Sequence, residues 1–225
     1  MNFENKGGKM NHTLDNSPTF HSLGEQHKQD ELFQEYLDKA IAETLALAKK
    51  IQGCRICNLQ GLCNKPLPGA GYPLADVLLL KEIPTALEDA EKVAFFGEIG
   101  EVLKNGFDKL DLDITDVYGT NTVKCSAPLK KITEMHIRAC KEHLKMEIKI
   151  LQPKIILAMG KISIIALDKI MPFKDKSCFQ PGKVTRWGEN IIVITTHDPQ
   201  KALKEPALKR EFWAALKTLK RLWQK

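Results

Sequence analysis

The sequence predicts an α/β fold, a three-layer α/β/α sandwich around a central, mostly parallel four-stranded sheet. Four short apolar runs alternate with segments of helical periodicity, which is typical of parallel sheets. The 225 residues, 43% of them hydrophobic, can bury one substantial core. We therefore expect one domain over residues 29–225, preceded by a flexible polar tail over residues 1–28.

The elements follow from periodicity along the chain. Apolar residues recur near every 3.6 positions over residues 30–51, which predicts an amphipathic helix. The apolar runs predict strands at residues 75–80, 117–123, 154–159 and 191–195, and helical spacing predicts helices at residues 97–110, 133–151, 161–170 and 206–223. Residues 179–187 are expected to add an edge strand or a loop.

Charge divides the chain into an acidic and a basic half. Residues 1–112 carry 12 Lys/Arg and 17 Asp/Glu, whereas residues 113–225 carry 22 and 11. A basic half suits a polyanion, because cations that neutralise phosphates release counterions. A solvated, lysine-rich surface explains the charge equally well. No run approaches the roughly 18 apolar residues of a membrane span, and the N-terminus lacks the apolar core of a signal peptide, so we expect a cytoplasmic protein.

Polar residues follow the predicted strands. The segment KEIPTALED begins at Lys81, Asn121 lies near the end of the second strand, and His197 follows the fourth. Ligands of open parallel sheets bind beyond the carboxyl ends of the strands, so these groups are expected to meet at one cleft. Taken singly, Asn121 is more often a turn or cap residue, and His197 could equally belong to a helix-capping loop.

Six cysteines in a chain expected in a reducing compartment favour metal ligation over disulfides. Cys54 and Cys57 form a CxxC, Cys125 ends the second strand, and Cys140 lies in the following helix. Four thiolates suit either zinc or a 4Fe-4S cluster, and the spacing does not choose between them. Cys63 and Cys178 stay unassigned, and Cys178 is expected to be a small buried hydrophobe.

The order of these motifs resembles the family 4 uracil-DNA glycosylases, the iron-sulfur branch found in bacteria and archaea, over about residues 30–223. The family pattern is a CxxC, GEAPG with ED downstream, PFVG, NxVKC, a helical cysteine, a strand ending in LG and a final HP. The corresponding segments here are CRIC, KEIPTALED, AFFGEIG, NTVKC, RACKEHL, ILAMG and TTHDP.

The resemblance implies an enzyme that flips a damaged base, uracil first, out of DNA and hydrolyses its glycosidic bond, leaving an abasic site in base-excision repair. It also implies a monomer whose partner is DNA, and a 4Fe-4S cluster held by Cys54, Cys57, Cys125 and Cys140.

The resemblance also assigns roles in the base pocket. Phe95 would stack on the extruded base, Asn121 would bond its edge, and His197 would stabilise the departing base. Glu82 and Glu88 match acidic positions that order water and shape the pocket. Lys81 and Ile83 would line the same pocket.

The first motif departs from the family pattern. Lys81 and Thr85 stand where the family has glycines, Ile83 replaces alanine, and Asp198 separates His197 from the proline. Three readings follow: uracil excision with an adjusted loop, excision of another modified base, or DNA binding without cleavage. A desolvated Lys81 could also be an amine nucleophile, although a lysine that faces solvent or phosphate is the commoner case.

Overall fold

The computed structural model describes residues 20–223, with side chains from residue 28 onward. The chain divides after Tyr36 into two compact units, and the second, residues 37–225, carries the sheet. Within the described residues, no helix combines the length and the apolar character needed to cross a bilayer.

The predicted α/β fold is confirmed, and the sheet has six strands. Its spatial order is β1-β3-β2-β4-β6-β5, with the inner four strands parallel and both edge strands antiparallel. The strands are β1 Ala70–Gly71, β2 Val77–Lys81, β3 Val117–Asn121, β4 Ile155–Met159, β5 Val184–Trp187 and β6 Ile191–Thr196.

Helices cover both faces of the sheet. They are α1 Phe20–Gln52, α2 Ala86–Glu91, α3 Glu98–Asp108, α4 Glu134–Leu151, α5 Lys161–Ile170, α6 Pro199–Lys204 and α7 Pro206–Trp223. Residues of α4 and α5 share one apolar core with the sheet. Residues of α3 and α7 form a second core on the opposite face. The inner strands are buried along most of their length, which explains why their sequences are continuous apolar runs.

The predicted count of four strands was wrong, because the sheet has two additional strands, one at each edge. Strand β1 has two residues, too few to produce a periodic signal. Strand β5 lies within the segment that was expected to be an edge strand or a loop, and it pairs with β6. The helices predicted at residues 161–170 and 206–223 have those bounds in the structure.

Helix α1 begins at Phe20, well before its predicted start at residue 30. Residues 20–28 of the predicted tail are therefore helical, whereas residues 1–19 lie outside the described part of the chain.

Candidate functional site

The parallel sheet brings the ends of β2 and β3 side by side. Lys81 is in register with Asn121, and each is the last residue of its strand. The ladder continues past both strands, because Thr122 N–H donates to the Lys81 carbonyl at 2.8 Å and Val123 N–H donates to the Glu82 carbonyl at 3.0 Å. The loop after β2 is therefore fixed to the segment that follows Asn121.

Lys81 is only 1% exposed, so the expectation of a lysine that faces solvent or phosphate was wrong. Its Nζ lies 2.7 Å from Glu88 Oε2 and 2.6 Å from the Ile83 carbonyl oxygen. It also lies 5.6 Å from the centroid of the Phe95 ring. Burial lowers the pKa of the Lys81 ammonium, and the charge of Glu88 opposes that change. A lysine is buried here because a carboxylate is buried with it.

Glu88 holds the first loop together. Its side chain completes a capping box with Thr85 at the start of α2, which satisfies N–H groups that the first helical turn leaves free. The carboxylate also accepts from the Phe95 N–H through Oε1. Glu88 therefore joins Lys81, the helix terminus and the aromatic residue.

Phe95 lies directly beside β3. Its backbone is left-handed with a φ of 61°, which costs a residue other than glycine about 1–2 kcal/mol. Its ring lies so close to Gly119 that a Cβ there would come within 2.8 Å of the ring carbons. Gly119 therefore makes room for the ring two residues before Asn121.

Asn121 is completely buried, and neither its Oδ1 nor its Nδ2 has a hydrogen-bond partner among the described residues. An unsatisfied buried polar group costs about 1–3 kcal/mol, so native structures contain few of them. An amide at the carboxyl edge of a parallel sheet that bonds to none of the described residues is suited to bond a ligand.

Glu82 follows Lys81 in the chain, and its side chain lies against the start of α5. It is 3% exposed, and its Oε1 accepts from the Ile162 N–H at 2.9 Å. Gly160 has a φ of 95°, and a Cβ there would collide with the Glu82 carboxyl group. Burial raises the pKa of Glu82, while the bond from Ile162 opposes that change. The carboxylate is thus fixed at a helix terminus rather than free in solvent.

His197 follows β6 and contacts a residue of the closing helix. Its Nε2 lies 2.6 Å from Glu211 Oε2. The next residue, Asp198, accepts from Gln200 N–H and caps α6, with Pro199 in the first helical turn. Burial raises the pKa of Asp198, and the nearby charge of Lys81 opposes that change. The inserted residue of the HDP motif is therefore a helix cap whose charge is felt at the end of β2.

Asn121 and His197 both lie at the carboxyl ends of parallel strands, but their strands are not neighbours. Their strands, β3 and β6, are separated by β2 and β4. Three strand spacings amount to about 14 Å between strand axes. Lys81 and Glu82, which end and follow β2, lie in the interval between them. Lys81, Glu82, Asn121 and His197 thus end or follow strands along the carboxyl edge of the sheet, and the Ile83 carbonyl, Glu88 and the Phe95 ring surround the Lys81 Nζ.

Four cysteines from three distant segments line one small cavity of about 10 Å³: Cys54, Cys57, Cys125 and Cys140. Burial raises the pKa of the Cys125 and Cys140 thiols, so a cation is needed to keep them ionised. Among residues 28–223, no three His, Cys, Asp or Glu side chains lie close enough together for a single metal ion. Four thiolates are suitable ligands for either zinc or a 4Fe-4S cluster, so the chemistry of this donor set fits both.

The two remaining cysteines differ in their surroundings. Burial raises the pKa of the Cys63 thiol, and a side-chain hydrogen bond with Cys125 opposes that change. Cys178 is fully buried in the core on the α4 side, as expected of a small hydrophobe.

A second buried ion pair lies beside the cysteines. Lys124 Nζ lies 2.5 Å from Glu147 Oε2 and 2.7 Å from Thr120 Oγ1. Glu147 also accepts from Thr120 Oγ1 and from the Gly69 N–H. This pair connects the segment that carries Cys125 to helix α4, which carries Cys140.

Sequence reasoning missed three residues of the site. Gly119 and Gly160 leave space for Phe95 and Glu82, and only the fold shows which side chain each glycine faces. Glu211 lies 14 residues beyond His197 on a helix with many charged residues, and no local pattern distinguishes it.

Fold and site together define an open parallel α/β protein with an unsatisfied amide, an aromatic ring and a histidine along the carboxyl edge, and a group of thiols nearby. The profile of the uracil DNA glycosylase superfamily matches residues 68–220. The chain therefore belongs to the uracil-DNA glycosylase superfamily.

Several curated proteins named type-4 uracil-DNA glycosylase are similar over most of their length. The protein of Pyrobaculum aerophilum is 31% identical over 74% of this chain and 87% of its own. That of Saccharolobus solfataricus is 32% identical over 73% of this chain and 79% of its own. That of Archaeoglobus fulgidus is 26% identical over 77% of this chain and 89% of its own.

Proposed function

We propose that this protein is a monofunctional DNA glycosylase that flips a damaged base out of DNA and hydrolyses its N-glycosidic bond, with uracil as the first candidate base. The observation that carries the proposal is the buried, unsatisfied amide of Asn121, two residues beyond the Gly119 against which the Phe95 ring lies. Membership of the superfamily and three relatives named type-4 uracil-DNA glycosylase support it.

Base recognition depends on Asn121 and Phe95. Extruding a nucleotide from the stack costs a few kcal/mol, and stacking on the Phe95 ring offsets part of that cost. The Asn121 amide can accept from N3–H of uracil and donate to O4, whereas cytosine has an acceptor at N3 and a donor at N4 and so reverses both partners. A base that bonds both amide atoms would also relieve their unsatisfied state in the free protein.

Bond cleavage depends on His197 and Glu82. Negative charge develops on the base O2 and positive charge on the sugar, so a donor at O2 lowers the barrier. His197 would supply that donor. Glu82 would order the water that adds to the sugar, and its carboxylate, fixed at α5, would favour the positive sugar.

Lys81 opposes this reaction in the free protein. Its side chain is buried and its Cα is in register with that of Asn121, so we propose that a base reaches the amide only after the lysine moves. Burial lowers the pKa of the Lys81 ammonium, but Glu88 and the Ile83 carbonyl hold its Nζ in place. The geometry thus supports hydrolysis over a lyase step, and Lys81 as a brake on base entry.

The buried pair of Lys81 and Glu88 favours one second candidate: a member of the superfamily that keeps the fold and binds DNA but has lost turnover. A lysine fixed in the base pocket would block excision and leave DNA binding intact.

A 4Fe-4S cluster would be held by Cys54, Cys57, Cys125 and Cys140, which line one cavity. Its contribution would be structural, because it would join the CxxC segment, the end of β3 and helix α4. The excision chemistry needs no electron transfer.

The DNA backbone would contact exposed cations beyond His197, namely Lys201, Lys204 and Lys209. Such contacts position the substrate without reading its sequence. We propose that the protein acts as a monomer in the cytoplasm, where its substrate is the cell's DNA.

The deciding experiment is an excision assay with the full chain. Oligonucleotides that contain uracil, hypoxanthine, xanthine or an alkylated base are incubated with the protein and then treated with alkali. Strand scission at one of these bases supports a glycosylase, whereas salt-sensitive DNA binding without any scission supports the second candidate.

Lys81→Gly tests the brake in the same assay. If displacing Lys81 costs only about 1.4 kcal/mol, its removal should raise the rate about ten-fold. Lys92→Gly is the matched control, because Lys92 is exposed and already has a left-handed φ of 60°, which glycine adopts easily. An equal effect of both variants would refute a specific brake at Lys81.

The cluster has its own test. Iron and sulfide analysis with visible absorption should show about four irons per chain. Cys57→Ser and Cys125→Ser should lose the absorption, whereas Cys178→Ser should keep it. Zinc in place of iron would reject the assignment.

A further inference from the structure

We infer that Glu211 is a positioning residue for His197: its carboxylate holds the imidazole by Nε2 and fixes both the orientation and the tautomer of the ring. This inference rests on the function proposed above, because the ring matters only if it faces a departing base. It adds a residue of the closing helix to a site otherwise built from strand ends and the loops that follow them.

The contact itself defines where the proton lies. The two atoms, His197 Nε2 and Glu211 Oε2, are 2.6 Å apart. An ionised carboxylate can only accept, so the proton of this hydrogen bond belongs to Nε2. A neutral ring then has its lone pair on Nδ1. A ring with a single N–H therefore carries it on Nε2.

The elements that carry the two residues explain why the contact is made. His197 lies in the loop between β6 and α6, and Asp198 and Pro199 turn the chain there into α6. Helix α7 begins at Pro206 and packs against β6, with Phe212 and Leu216 in the core. Glu211 precedes Phe212, so the packing of α7 fixes the position of its carboxylate. A rigid element thus orients a histidine that lies on a loop.

The exposure of the His197–Glu211 pair indicates that Glu211 orients the ring and contributes little to the stability of the fold. The Glu211 side chain is 57% exposed and that of His197 is 19% exposed. Exposed pairs of this kind contribute little to stability. The consequence of losing Glu211 should therefore appear in the ring and in the rate of excision, and barely in the unfolding midpoint.

During excision, the Nε2–H is the donor that His197 offers to the base O2. When the base enters, this proton is shared between the Glu211 carboxylate and the base oxygen and stays on Nε2 throughout, so the contact that orients the ring is kept. Glu211 thus keeps the donor on the correct nitrogen and near the correct place. A catalytic group misplaced by about 1 Å can reduce a rate by on the order of 100-fold. Because the loop still holds His197, we expect a loss of about ten-fold.

The first test needs no activity. The free full-length protein, with 15N-labelled histidine, is examined by proton NMR in water at low temperature. One imidazole N–H resonance should lie downfield of the amide protons and should disappear in His197→Gln, which identifies it among the six histidines. It should be lost or move upfield in Glu211→Ala and be partly retained in Glu211→Gln, whose amide oxygen can still accept.

The second test is the single-turnover rate on an oligonucleotide that contains the excised base. Glu211→Ala should lower this rate about ten-fold, with DNA affinity and unfolding midpoint nearly unchanged. Glu205→Ala is the matched control, because Glu205 is an exposed acid one residue before α7, and its loss changes charge without touching His197. It should leave the rate near that of the wild type.

The outcomes separate the inference from the proposed function. A His197 resonance that is unchanged in Glu211→Ala refutes positioning, whatever the activity. A rate that is unchanged or raised in Glu211→Ala, or lowered equally in Glu205→Ala, also refutes it. A wild-type protein that excises no base refutes the proposed function and with it the catalytic role of Glu211. The NMR comparison then still decides whether Glu211 orients the ring.

Discussion

Two lysines at neighbouring strand ends are both buried and both paired with glutamate, but they lie in different settings. Lys81 ends β2 and pairs with Glu88, seven residues away in the loop and helix that follow. Lys124 lies beyond the end of β3 and pairs with Glu147 of α4, 23 residues away. The first pair is local and lies beside the unsatisfied Asn121, whereas the second joins two layers of the fold.

The two glutamates also lie at opposite ends of their helices. Glu88 is in the first turn of α2, where the free N–H groups and the helix dipole stabilise a negative charge. Glu147 is near the C-terminal end of α4, where the dipole disfavours one. Glu88 can therefore lose its lysine at a smaller cost than Glu147 can. The comparison indicates that Lys124 is required by the fold, whereas Lys81 occupies space in the candidate site.

The largest expected effect is on stability and breaks the second pair. Lys124→Met leaves Glu147 buried without its cation and should cost about 3–5 kcal/mol of unfolding free energy. Lys81→Met should cost about 1–3 kcal/mol, because Glu88 keeps the N–H groups of Thr85 and Phe95. Urea unfolding of the full chain measures both. The exposed Lys92→Met serves as the control, and equal losses at the two buried sites would contradict the comparison.

An intermediate effect is expected at Asn121, where stability and function should move in opposite directions. Asn121→Leu removes two unsatisfied buried polar atoms at nearly constant volume, so the unfolding free energy should be unchanged or rise by about 1–2 kcal/mol. Excision of any base should be lost, because the bond to the base edge is gone. Urea unfolding and the alkali assay test the two parts. A clear loss of stability would mean that the amide is satisfied in the protein.

The smallest expected effect is the contribution of Glu82, the residue after Lys81, to the pH dependence of the unfolding free energy. Burial raises the pKa of Glu82 in the folded protein, so the folded state binds this proton more tightly than the unfolded state does. Its contribution to stability is therefore present below the ordinary glutamate pKa and is lost as pH rises through the raised value. Relative to Glu82→Gln, wild-type stability should fall across that window.

The same group should set the acid limb of activity. If the Glu82 carboxylate orders the water, the excision rate should fall with decreasing pH at a point above the ordinary glutamate range. Urea unfolding and rate profiles between about pH 4 and 8 measure both effects. A rate profile without an acid limb above that range would reject the role of Glu82.

Much of the fold could be predicted because buried parallel strands have continuous apolar sequences. Strands β2, β3, β4 and β6 were visible as such runs, and the residues that end them locate the site. Two-residue β1 was not visible, because pairing with β3, rather than side-chain periodicity, makes it a strand.

The site was less predictable where a residue's state depends on a distant partner. A lysine at position 81 was expected to face solvent, since few lysines are buried. It is buried because Glu88 reaches back from the next helix. Glu211 was missed for the same reason, because its role is visible only once α7 is packed against β6.

The segment from Asn121 to Cys125 cannot change in length without disturbing several contacts. Within five consecutive residues it contains the unsatisfied amide, two N–H groups that bond the loop after β2, the buried Lys124 and a thiol of the cysteine group. Inserting or deleting one residue here would place at least one of these groups out of phase with its partner. Variation in this segment is therefore restricted to substitution, and a change of length should yield a protein that loses the thiol group, the base pocket or both in a single step.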